Sequence, residues 1–379
     1  MDITDFASGA YRQQYQYKSF APSNINHEWT WADPKLNTLL SEANHKLGEL
    51  NAFSLYVPDV DFFIAMHVAK EATSSSRIEG TRTEVEDALF SESDVKPEKR
   101  DDWKEVRNYI KAMNSSIRKL EAVPVSTRLL KDTHRILMTG VRGEHKLPGE
   151  YRTTQNWIGG ATLNDAVFIP PHQSEVSALM GDLENFLHNS DIDVPHLIRV
   201  AIAHYQFETI HPFADGNGRI GRLLITLYLV SAGLLARPTL YLSDYLEKHK
   251  GLYYDNLMAV RTSSNLTQWI KFFLVAVGET AKKGILTFER ILKLKEEIEG
   301  KRIVTLGKKL PKAKRLMDIL YKKPILSVAH VEELLDIAKP TANSFVDDFV
   351  HLRILKEITG ARRNRMFGFR EYIKLFSDK

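Results

Sequence analysis

The sequence predicts a mainly helical protein with a small β-hairpin near its middle and a winged helix-turn-helix at its C-terminal end. Over most of the 379 residues, apolar side chains recur three and four positions apart, which is the spacing of an amphipathic helix. Residues 149–171 differ, because short β-prone runs alternate there with Gly, Asn and Pro. Residues 313–369 follow the order helix, short stretch, helix, turn, helix and hairpin, which is typical of a winged helix-turn-helix.

The N-terminal part is predicted to be an irregular arm followed by helices. Residues 1–35 show no sustained periodicity, whereas apolar residues return at helical spacing from Leu36 to Leu50. A second helix is predicted from about Asp59, a good N-cap, toward Ser74. The same spacing predicts four further helices, at 83–91, 101–121, 126–138 and 174–189.

The rest of the chain is predicted to alternate helices with two informative loops. Two β-prone runs around a turn predict a hairpin from Trp157 to Ile169. Further helices are expected at Val194–Ile210, 222–236, 243–260 and 266–299, followed by a linker at 308–312. Beyond the linker we expect helices at Ala313–Tyr321, Val331–Leu335 and Pro340–Leu352, a short stretch at Ile325–Ala329 and a basic hairpin at Leu355–Phe369.

Composition excludes several kinds of chemistry and divides the chain by charge. The absence of cysteine removes disulfides, thiolate nucleophiles, cysteine-ligated zinc and iron–sulfur clusters. The longest nearly uncharged run, Leu223–Ala236, is shorter than the ~20 residues that span a bilayer, and the N-terminus lacks a secretory signal. We therefore expect a cytoplasmic protein with no membrane partner. Residues 301–379 hold 18 Lys and Arg against 9 Asp and Glu, a balance of +9, so residues 1–300 sum to −5 within the total of +4.

The loop HPFADGNGRIGR, from His211 to Arg222, has the residues of an anion site. Gly216 and Gly218 let backbone N–H groups approach an anion, and the helix that follows adds unpaired N–H donors. Arg219 and Arg222 are three positions apart, on one face of the first turn, where guanidinium groups can bind phosphate oxygens.

Two further residues of this loop add catalytic chemistry. Asp215 is a hard oxygen ligand, suited to Mg²⁺ that is shared with phosphates. His211 has a pKa near the working range of a general base. The loop therefore predicts phosphoryl or nucleotidyl transfer, rather than a plain Gly/Asn turn with surface arginines.

Other readings of the same residues are weaker. His204, Glu208 and His211 share one helical face and could mimic a zinc site, but their spacing is not that of HExxH and no third imidazole is in reach. The sequence also lacks the GxxxxGK[ST] pattern of a P-loop NTPase.

HPFADGNGRIGR resembles the complete Fic motif, HxFx(D/E)GNGRxxR, of the Fic-domain enzymes. The resemblance implies a Fic helical core with a β-hairpin flap, and transfer of AMP from ATP to a protein hydroxyl with release of pyrophosphate. His211 would be the general base, and Asp215 would hold the Mg²⁺. Phe213 would anchor the loop in the core. The implied ATP-binding residues are Gly216, Asn217, Gly218, Arg219, Ile220, Gly221 and Arg222.

Ser75 and Glu79, in SSSRIEG, match the inhibitory motif [ST]xxxE[GN] that some Fic proteins carry before the Fic core. By this resemblance, Glu79 would pair with Arg222 and deny the γ-phosphate of ATP its partner. In some relatives the same glutamate positions a water for the reverse hydrolysis, so removal of AMP from a modified protein stays an alternative.

The resemblance also implies contacts around the nucleotide and the target protein. The hairpin resembles the flap against which a segment of the target protein adds as a strand. Ile158, Gly159, Gly160 and Ala161 would lie near the nucleotide there. The stretch SDYLEKHKGLYYDNL resembles the segment that closes the adenine pocket, where His249, Tyr253 and Tyr254 are the candidates.

The small residue Gly218 favours adenylylation over phosphorylation. Doc-type toxins carry Lys at this place, which blocks the β-phosphate position and reverses the nucleotide.

The resemblance divides the chain into three parts: N-terminal helices with the inhibitory motif at 1–110, a Fic core at 111–300 and a winged-helix-like part at 308–379. The partners would be ATP, an unidentified target protein and, left open, a second copy of the chain.

A DNA-binding regulator is the alternative from another functional class. Arg362, Arg363 and Arg365 would form a basic wing tip suited to phosphate contacts. The helix that would enter the major groove carries Asp347 and Asp348 and few donors for base edges. DNA binding is therefore less favoured than a docking or dimerisation role.

Overall fold

Helices make up most of the structure, which confirms the mainly helical fold class. The computed structural model describes residues 1–56, 60–360 and 365–376, with the backbone alone at residues 56, 60–63 and 93. Asp59, the predicted N-cap, and Arg362 and Arg363 of the predicted wing tip lie outside the described residues.

The α-helices are α1 (Pro34–Tyr56), α2 (Val60–Ile78), α3 (Val85–Ala88), α4 (Arg100–Lys119), α5 (Thr127–Met138), α6 (Val176–His188), α7 (His196–Ile210), α8 (Asn217–Ser231), α9 (Ser243–Lys248), α10 (Lys250–Ser263), α11 (Leu266–Glu297), α12 (Leu310–Lys322), α13 (Val328–Leu335), α14 (Lys339–His351) and α15 (Arg370–Lys374). The strands are β1 (Gly9–Gln13), β2 (Lys18–Pro22), β3 (Ile325–Ser327), β4 (Lys356–Glu357) and β5 (Met366–Gly368).

The centre of the molecule is α7, which is covered on all sides. Every residue of α7 after His196 is buried, and α6, α8 and α11 pack around it. Apolar residues occur on every side of this helix, which favours such enclosure, and several polar side chains are buried with them: Arg199, His204, Gln206, Glu208 and Thr209. The loop 211–216 joins α7 directly to α8, so it is held between two core helices.

Helix α2 brings the predicted inhibitory motif to this core. It packs on α4, α8, α9 and α12, and it continues past the predicted end at Ser74 to Ile78. Ser75 therefore lies in its last turn, and Glu79 follows at once. Gly80 has φ 102°, a conformation that glycine adopts without strain and that turns the chain away.

The N-terminal arm is more regular than predicted. Strands β1 and β2 form an antiparallel hairpin, with Tyr11 opposite Phe20. The N–H of Phe20 also donates to the carbonyl of Ile169 at 2.9 Å, so the hairpin extends the flap region. The prediction of an irregular arm was wrong because only β2 is buried, and no apolar alternation marks β1.

The predicted hairpin from Trp157 to Ile169 reduces to a single antiparallel bridge between Ile158 and Phe168. Gly159 and Gly160 have φ 71° and 76°, and a 3₁₀ turn covers Leu163–Asp165. These turns bring the chain back before a second residue pair can form. We call residues 157–169 the flap.

Several helix bounds also differ from the prediction. The helix expected at 83–91 shrinks to α3, and the one expected at 243–260 divides at His249, whose backbone is non-helical with φ −111° and ψ 33°. The helix expected at 222–236 runs instead from Asn217 to Ser231, because Gly216 and Gly233, both with positive φ, flank it.

The C-terminal part contains the predicted order of elements without the predicted linker. Residues 308–312 are helical, and the chain passes from α11 to α12 through a π turn and a 3₁₀ turn that bends at Gly307. Strands β3, β5 and β4 form an antiparallel sheet in that order beside α12, α13 and α14. The winged helix-turn-helix assignment stays a prediction. Among the described residues, no helix is long and apolar enough to cross a membrane.

Candidate active site

The loop between α7 and α8 is shaped by its own backbone and by one amide side chain. His211 ends α7 in the left-handed conformation, with φ 51° and ψ 60°, and its N–H donates to Phe207 O at 2.9 Å. The side chain of Asn217 accepts from Phe213 N and donates to Phe213 O, both at 2.8 Å. The turn is therefore closed by Asn217 before α8 begins.

A buried histidine that was not among the predicted site residues, His134, packs against the loop. The ring of His134 stacks on Phe213, with centroids 3.9 Å apart and planes at 7°. Its Nδ1 accepts from Gly149 N at 2.8 Å, so Nε2 carries the proton and donates to Asp215 O at 3.0 Å. Burial lowers the pKa of His134 to about 4, which keeps this tautomer neutral.

The loop opens onto a cavity of about 590 Å³. From the loop and α8, it is lined by His211, Ala214, Asp215, Gly216, Asn217, Gly218 and Arg222. From elsewhere, it is lined by Glu79, Lys146, Trp157, Ile158, Gly159, Val167, Phe168, Glu208, Lys250, Tyr253, Tyr254, Leu257, Met258 and Arg261. The cavity is within the usual size range of a small-molecule site.

His211 meets the requirements of a neutral base. Burial, and to a smaller extent the nearby Arg261 guanidinium, lower its pKa to about 4, below the range expected from the sequence. Its Nδ1 is buried and has no hydrogen-bond partner among the described residues. Two side chains, Arg152 through Nε and Asn156 through Nδ2, donate instead to the backbone carbonyl of His211, at 2.9 and 3.3 Å. These contacts hold the backbone of His211 and leave its imidazole nitrogens available to accept a proton.

Arg222 is engaged by the predicted inhibitory motif. Its Nη2 lies 2.6 Å from Glu79 Oε1 and 2.9 Å from Ser75 O, and its Nε donates to Ser75 Oγ at 2.9 Å. Burial alone would lower the pKa of Arg222, but the Glu79 carboxylate raises it, so the guanidinium stays charged. Burial would likewise raise the pKa of Glu79, but Arg222 outweighs it and lowers that pKa. The site holds an ion pair where an anion could bind Arg222.

Gly218 lies directly against this pair. A Cβ at position 218 would come within 2.3 Å of Glu79 Oε1 and 2.9 Å of Arg222 Nη1. A larger side chain at this position would therefore have to displace Glu79 or Arg222 from the ion pair.

Asp215 is the acidic residue of the loop, and it already pairs with a cation. Its Oδ1 accepts from Gly216 N at 2.7 Å, and its Oδ2 lies 3.0 Å from Lys146 Nζ. Burial would raise the pKa of Asp215, but these contacts lower it, so it is ionised. The described residues contain no group of three His, Asp or Glu side chains that could hold a metal ion. One carboxylate at the wall of this cavity still fits Mg²⁺, which binds through one or two carboxylates plus substrate phosphates.

Other predicted ATP-binding residues do not line the cavity. The side chain of Arg219 is 5% exposed, and its Nη1 lies 3.2 Å from Glu105 Oε2. Ile220 is buried in the core, and a Cβ at Gly221 would come within 2.2 Å of Glu208 Oε1. The structure places all three inside α8, facing the protein, because the helix begins before Arg219 rather than after it.

The flap and adenine candidates divide in the same way. Ile158, Gly159, Tyr253 and Tyr254 line the cavity, whereas Gly160 and Ala161 do not. His249 stacks on Tyr245 and lines a different cavity, of about 270 Å³, behind α9. The break between α9 and α10 at His249 turns its side chain away.

His204, which the zinc alternative needs, uses both ring nitrogens elsewhere. Nδ1 is 2.9 Å from Gly221 O, and Nε2 is 2.9 Å from Tyr253 OH. These contacts fix Tyr253 at the cavity wall.

Lys146, Glu208 and Arg261 line the cavity although the sequence did not point to them as binding residues. Glu208 was considered only as a zinc ligand. Lys146 and Arg261 carry no local pattern, since each reaches the site from a distant part of the chain.

The fold and the cavity together define a class: a helical protein with a glycine-containing loop at a helix N-terminus that opens onto a cavity of small-molecule size. A profile described as Fic/DOC family N-terminal matches residues 37–118, and one described as Fic/DOC family matches residues 124–229. Residues 37–118 and 124–229 are therefore similar to the two parts of the Fic/DOC family.

Relatives with a curated name match part of the chain. It is 35% identical over 125 residues to a protein adenylyltransferase Fic of Culex quinquefasciatus, covering 33% of this chain and 22% of that protein. It is 27% identical over 172 residues to the protein of the same name of Drosophila erecta, covering 45% and 31%. The chain thus spans less than a third of either relative.

Solved structures show the same fold over more of the chain. A Fic family protein from Desulfovibrio desulfuricans G20 superposes with a TM-score of 0.56 at 21% identity, covering 89% of this chain and 96% of that one. Fic-1 (aa134–508) from C. elegans gives a TM-score of 0.51 at 20% identity, covering 69% and 75%. The expected Fic helical core is confirmed.

Proposed function

We propose that this protein is an adenylyltransferase that transfers AMP from ATP to a Ser, Thr or Tyr hydroxyl of a target protein and of itself. The observation that carries the proposal is the cavity in which a neutral His211, the Gly216–Gly218 turn and Arg222 converge. The names of the relatives support the same reaction.

The described residues can carry out the reaction as follows. His211 accepts the proton of the target hydroxyl, whose oxygen attacks the α-phosphorus, and the bond to the β-phosphate breaks to release pyrophosphate. The N–H groups at the start of α8 bind phosphate oxygens, and Arg222 binds the γ-phosphate. Mg²⁺ held by Asp215 would neutralise charge on the α- and β-phosphates. Gly218 leaves room for the β-phosphate, which favours AMP transfer over phosphorylation.

We further propose that Glu79 inhibits this reaction. Glu79 occupies Nη2 of Arg222, which is the donor that the γ-phosphate needs. ATP can then bind only with its phosphates displaced from the line of attack. Ser75 supports the inhibited state, because it accepts two further hydrogen bonds from Arg222.

The target protein is proposed to dock on the flap. Trp157 and Val167 are 40% and 65% exposed on either side of the bridge between Ile158 and Phe168. An extended segment could add to this edge by main-chain hydrogen bonds and bring its hydroxyl to His211.

Isotope transfer tests the reaction. Glu79→Gly protein incubated with ATP labelled at the α-phosphate should label itself, whereas ATP labelled at the γ-phosphate should not. The wild type should label less, because Arg222 is occupied, and His211→Ala in the Glu79→Gly background should lose at least about 100-fold in rate. Transfer from the γ-phosphate alone would contradict AMP transfer. A Glu79→Gly protein no more active than the wild type would contradict the inhibitory role.

Removal of AMP is a second candidate, because the Glu79 carboxylate is 35% exposed and lines the cavity with His211. It could accept a proton from a water that attacks the phosphorus, releasing AMP and the free hydroxyl. Protein labelled by the Glu79→Gly variant should then lose AMP to the wild type but not to Glu79→Gln. Equal release by both would remove this candidate.

A further inference from the structure

The carboxylate proposed to hold Mg²⁺ carries a built-in cation. Lys146 Nζ lies 3.0 Å from Asp215 Oδ2, the oxygen that Gly216 N leaves open. The Lys146 side chain is 43% exposed and the Asp215 side chain 37%, so both face the cavity and its solvent. An incoming metal ion meets an ion pair rather than a free carboxylate.

The position of Lys146 is set by the loop that carries it, residues 139–150. Gly143 sits against Asp215, since a Cβ there would come within 2.9 Å of Oδ2, and Lys146 N donates to Gly143 O at 2.8 Å. The backbone of Lys146 is thus tied to the residue that touches the carboxylate.

Both ends of this loop are anchored to the site. On one side, Arg142 Nε donates to Glu105 Oε1 at 2.9 Å, and Glu105 also pairs with Arg219 of α8. On the other, Gly149 N donates to His134, which supports the turn at Asp215. Lys146 therefore faces Asp215 through a fixed loop and not by chance on an open surface.

We propose that Lys146 competes with the divalent metal for Asp215 and, once displaced, binds a phosphate of the nucleotide. A divalent ion arriving alone has to break the ion pair and leaves the ammonium beside a second positive charge. A metal ion arriving on ATP brings phosphate oxygens that can accept the displaced ammonium. Lys146 would thus favour loading of the metal–nucleotide complex over the free metal. The second half of this proposal rests on the proposed function.

Binding of Mn²⁺ to nucleotide-free protein, followed by electron paramagnetic resonance, tests the competition. Lys146→Met should tighten Mn²⁺ binding about fivefold, in line with the modest energy of an exposed ion pair. Lys146→Arg keeps the charge and should bind as weakly as the wild type. Lys131→Met is the matched control. Lys131, on α5, pairs at 3.0 Å with Glu150 of the same loop and does not line the cavity. Asp215→Asn should lose this Mn²⁺ binding, which would assign the signal to Asp215.

Equal Mn²⁺ affinities of the wild type and Lys146→Met would overturn the competition, as would equal tightening by Lys131→Met. This arm requires no AMP transfer, so its failure is distinguishable from failure of the proposed function.

Binding of a non-hydrolysable ATP analogue with Mg²⁺, measured by calorimetry in the Glu79→Gly background, tests the phosphate contact. Lys146→Met should weaken this binding about threefold or more, the opposite direction from its effect on free Mn²⁺. Unchanged or tighter binding would overturn the role of Lys146 as a phosphate ligand.

Discussion

Arg222 shows how one buried charge would link the proposed inhibition to the proposed catalysis. Its side chain is 1% exposed, and it is kept ionised by Glu79 and by the hydroxyl and carbonyl of Ser75. A buried guanidinium without an anion is costly, so a variant without Glu79 leaves a strong site for another anion. A phosphate has the charge and the geometry to fill it.

Glu208 is the opposite case, because the cost of burying its carboxylate outweighs the attraction of the nearby Arg222 and Arg261 charges. Its Oε1 is buried and has no hydrogen-bond partner among the described residues, and burial raises its pKa from 4.5 to about 7. Near pH 7 the folded protein therefore holds Glu208 about half protonated, whereas in the unfolded chain it is ionised.

Glu208→Gln should stabilise the protein in a pH-dependent way. A raised carboxyl pKa costs stability as pH rises through the window from 4.5 to 7, and Gln removes that cost. The gain in free energy of unfolding should be small at pH 5 and reach about 3 kcal/mol at pH 8. Urea unfolding at the two pH values measures it. The same gain at both values would show that ionisation of Glu208 is not the cause.

At the scale of elements, helix α2 is tied at several turns to residues 243–250. Lys70 Nζ lies 3.3 Å from Asp244, and Glu71 bonds both the N–H and the hydroxyl of Ser243. Arg77 pairs with Glu247 at 3.2 Å.

A further contact from the same segment lies next to Glu79, the proposed inhibitory residue. Lys250 Nζ donates to the carbonyl of Ile78 at 2.6 Å, one residue before Glu79. The segment that follows α8 thus holds the end of α2 in place.

Lys250→Met should loosen the end of α2 and relieve inhibition in part. Nζ satisfies a free carbonyl at the C-terminus of a helix, where a cation is favourable. Labelling from α-labelled ATP should rise above the wild type and stay below Glu79→Gly. Lys119→Met is the control, because Lys119 pairs with Asp132 at 2.8 Å away from α2. Activity at or below the wild type would indicate that Lys250 does not help to position Glu79.

At the scale of the whole molecule, the basic C-terminal part contacts the helix that carries the inhibitory motif. Helix α12 packs on α2, and Phe376 meets His67 of α2 edge to face at 5.0 Å. On α14, Asp348 pairs with Lys309, and Arg365 lies 3.7 Å from Glu357. These contacts favour a structural role for the C-terminal part over DNA binding.

The full chain should therefore not retard duplex DNA. A mobility-shift assay with a duplex of about 30 base pairs at about 50 mM salt is the measurement, since phosphate contacts are strongest at low salt. Retardation that disappears in an R362E/R363E/R365E variant would instead support the regulator alternative.

Much of the fold was predictable because helical periodicity is local. The bounds of helices α4 to α7 were predicted within two residues. The hairpin β1–β2 was not predicted, because β1 has no strand-like sequence pattern and becomes a strand only by pairing with β2. The linker predicted at 308–312 was wrong because the break between the helices lies at Gly307, with φ 52° and ψ −116°, and residues 308–312 are already helical.

The sequence by itself determined the chemistry of the loop, since its base, acid, glycines and arginines are contiguous and share one turn. The tertiary structure alone decided how they are used. It turned Arg219 inward to Glu105 and left Arg222 to face Glu79. It also brought Lys146 to Asp215 from the loop after α5. The physical reason is that a turn and a helix start are set by neighbouring residues, whereas the partner of a buried charge is set by the packing of distant segments.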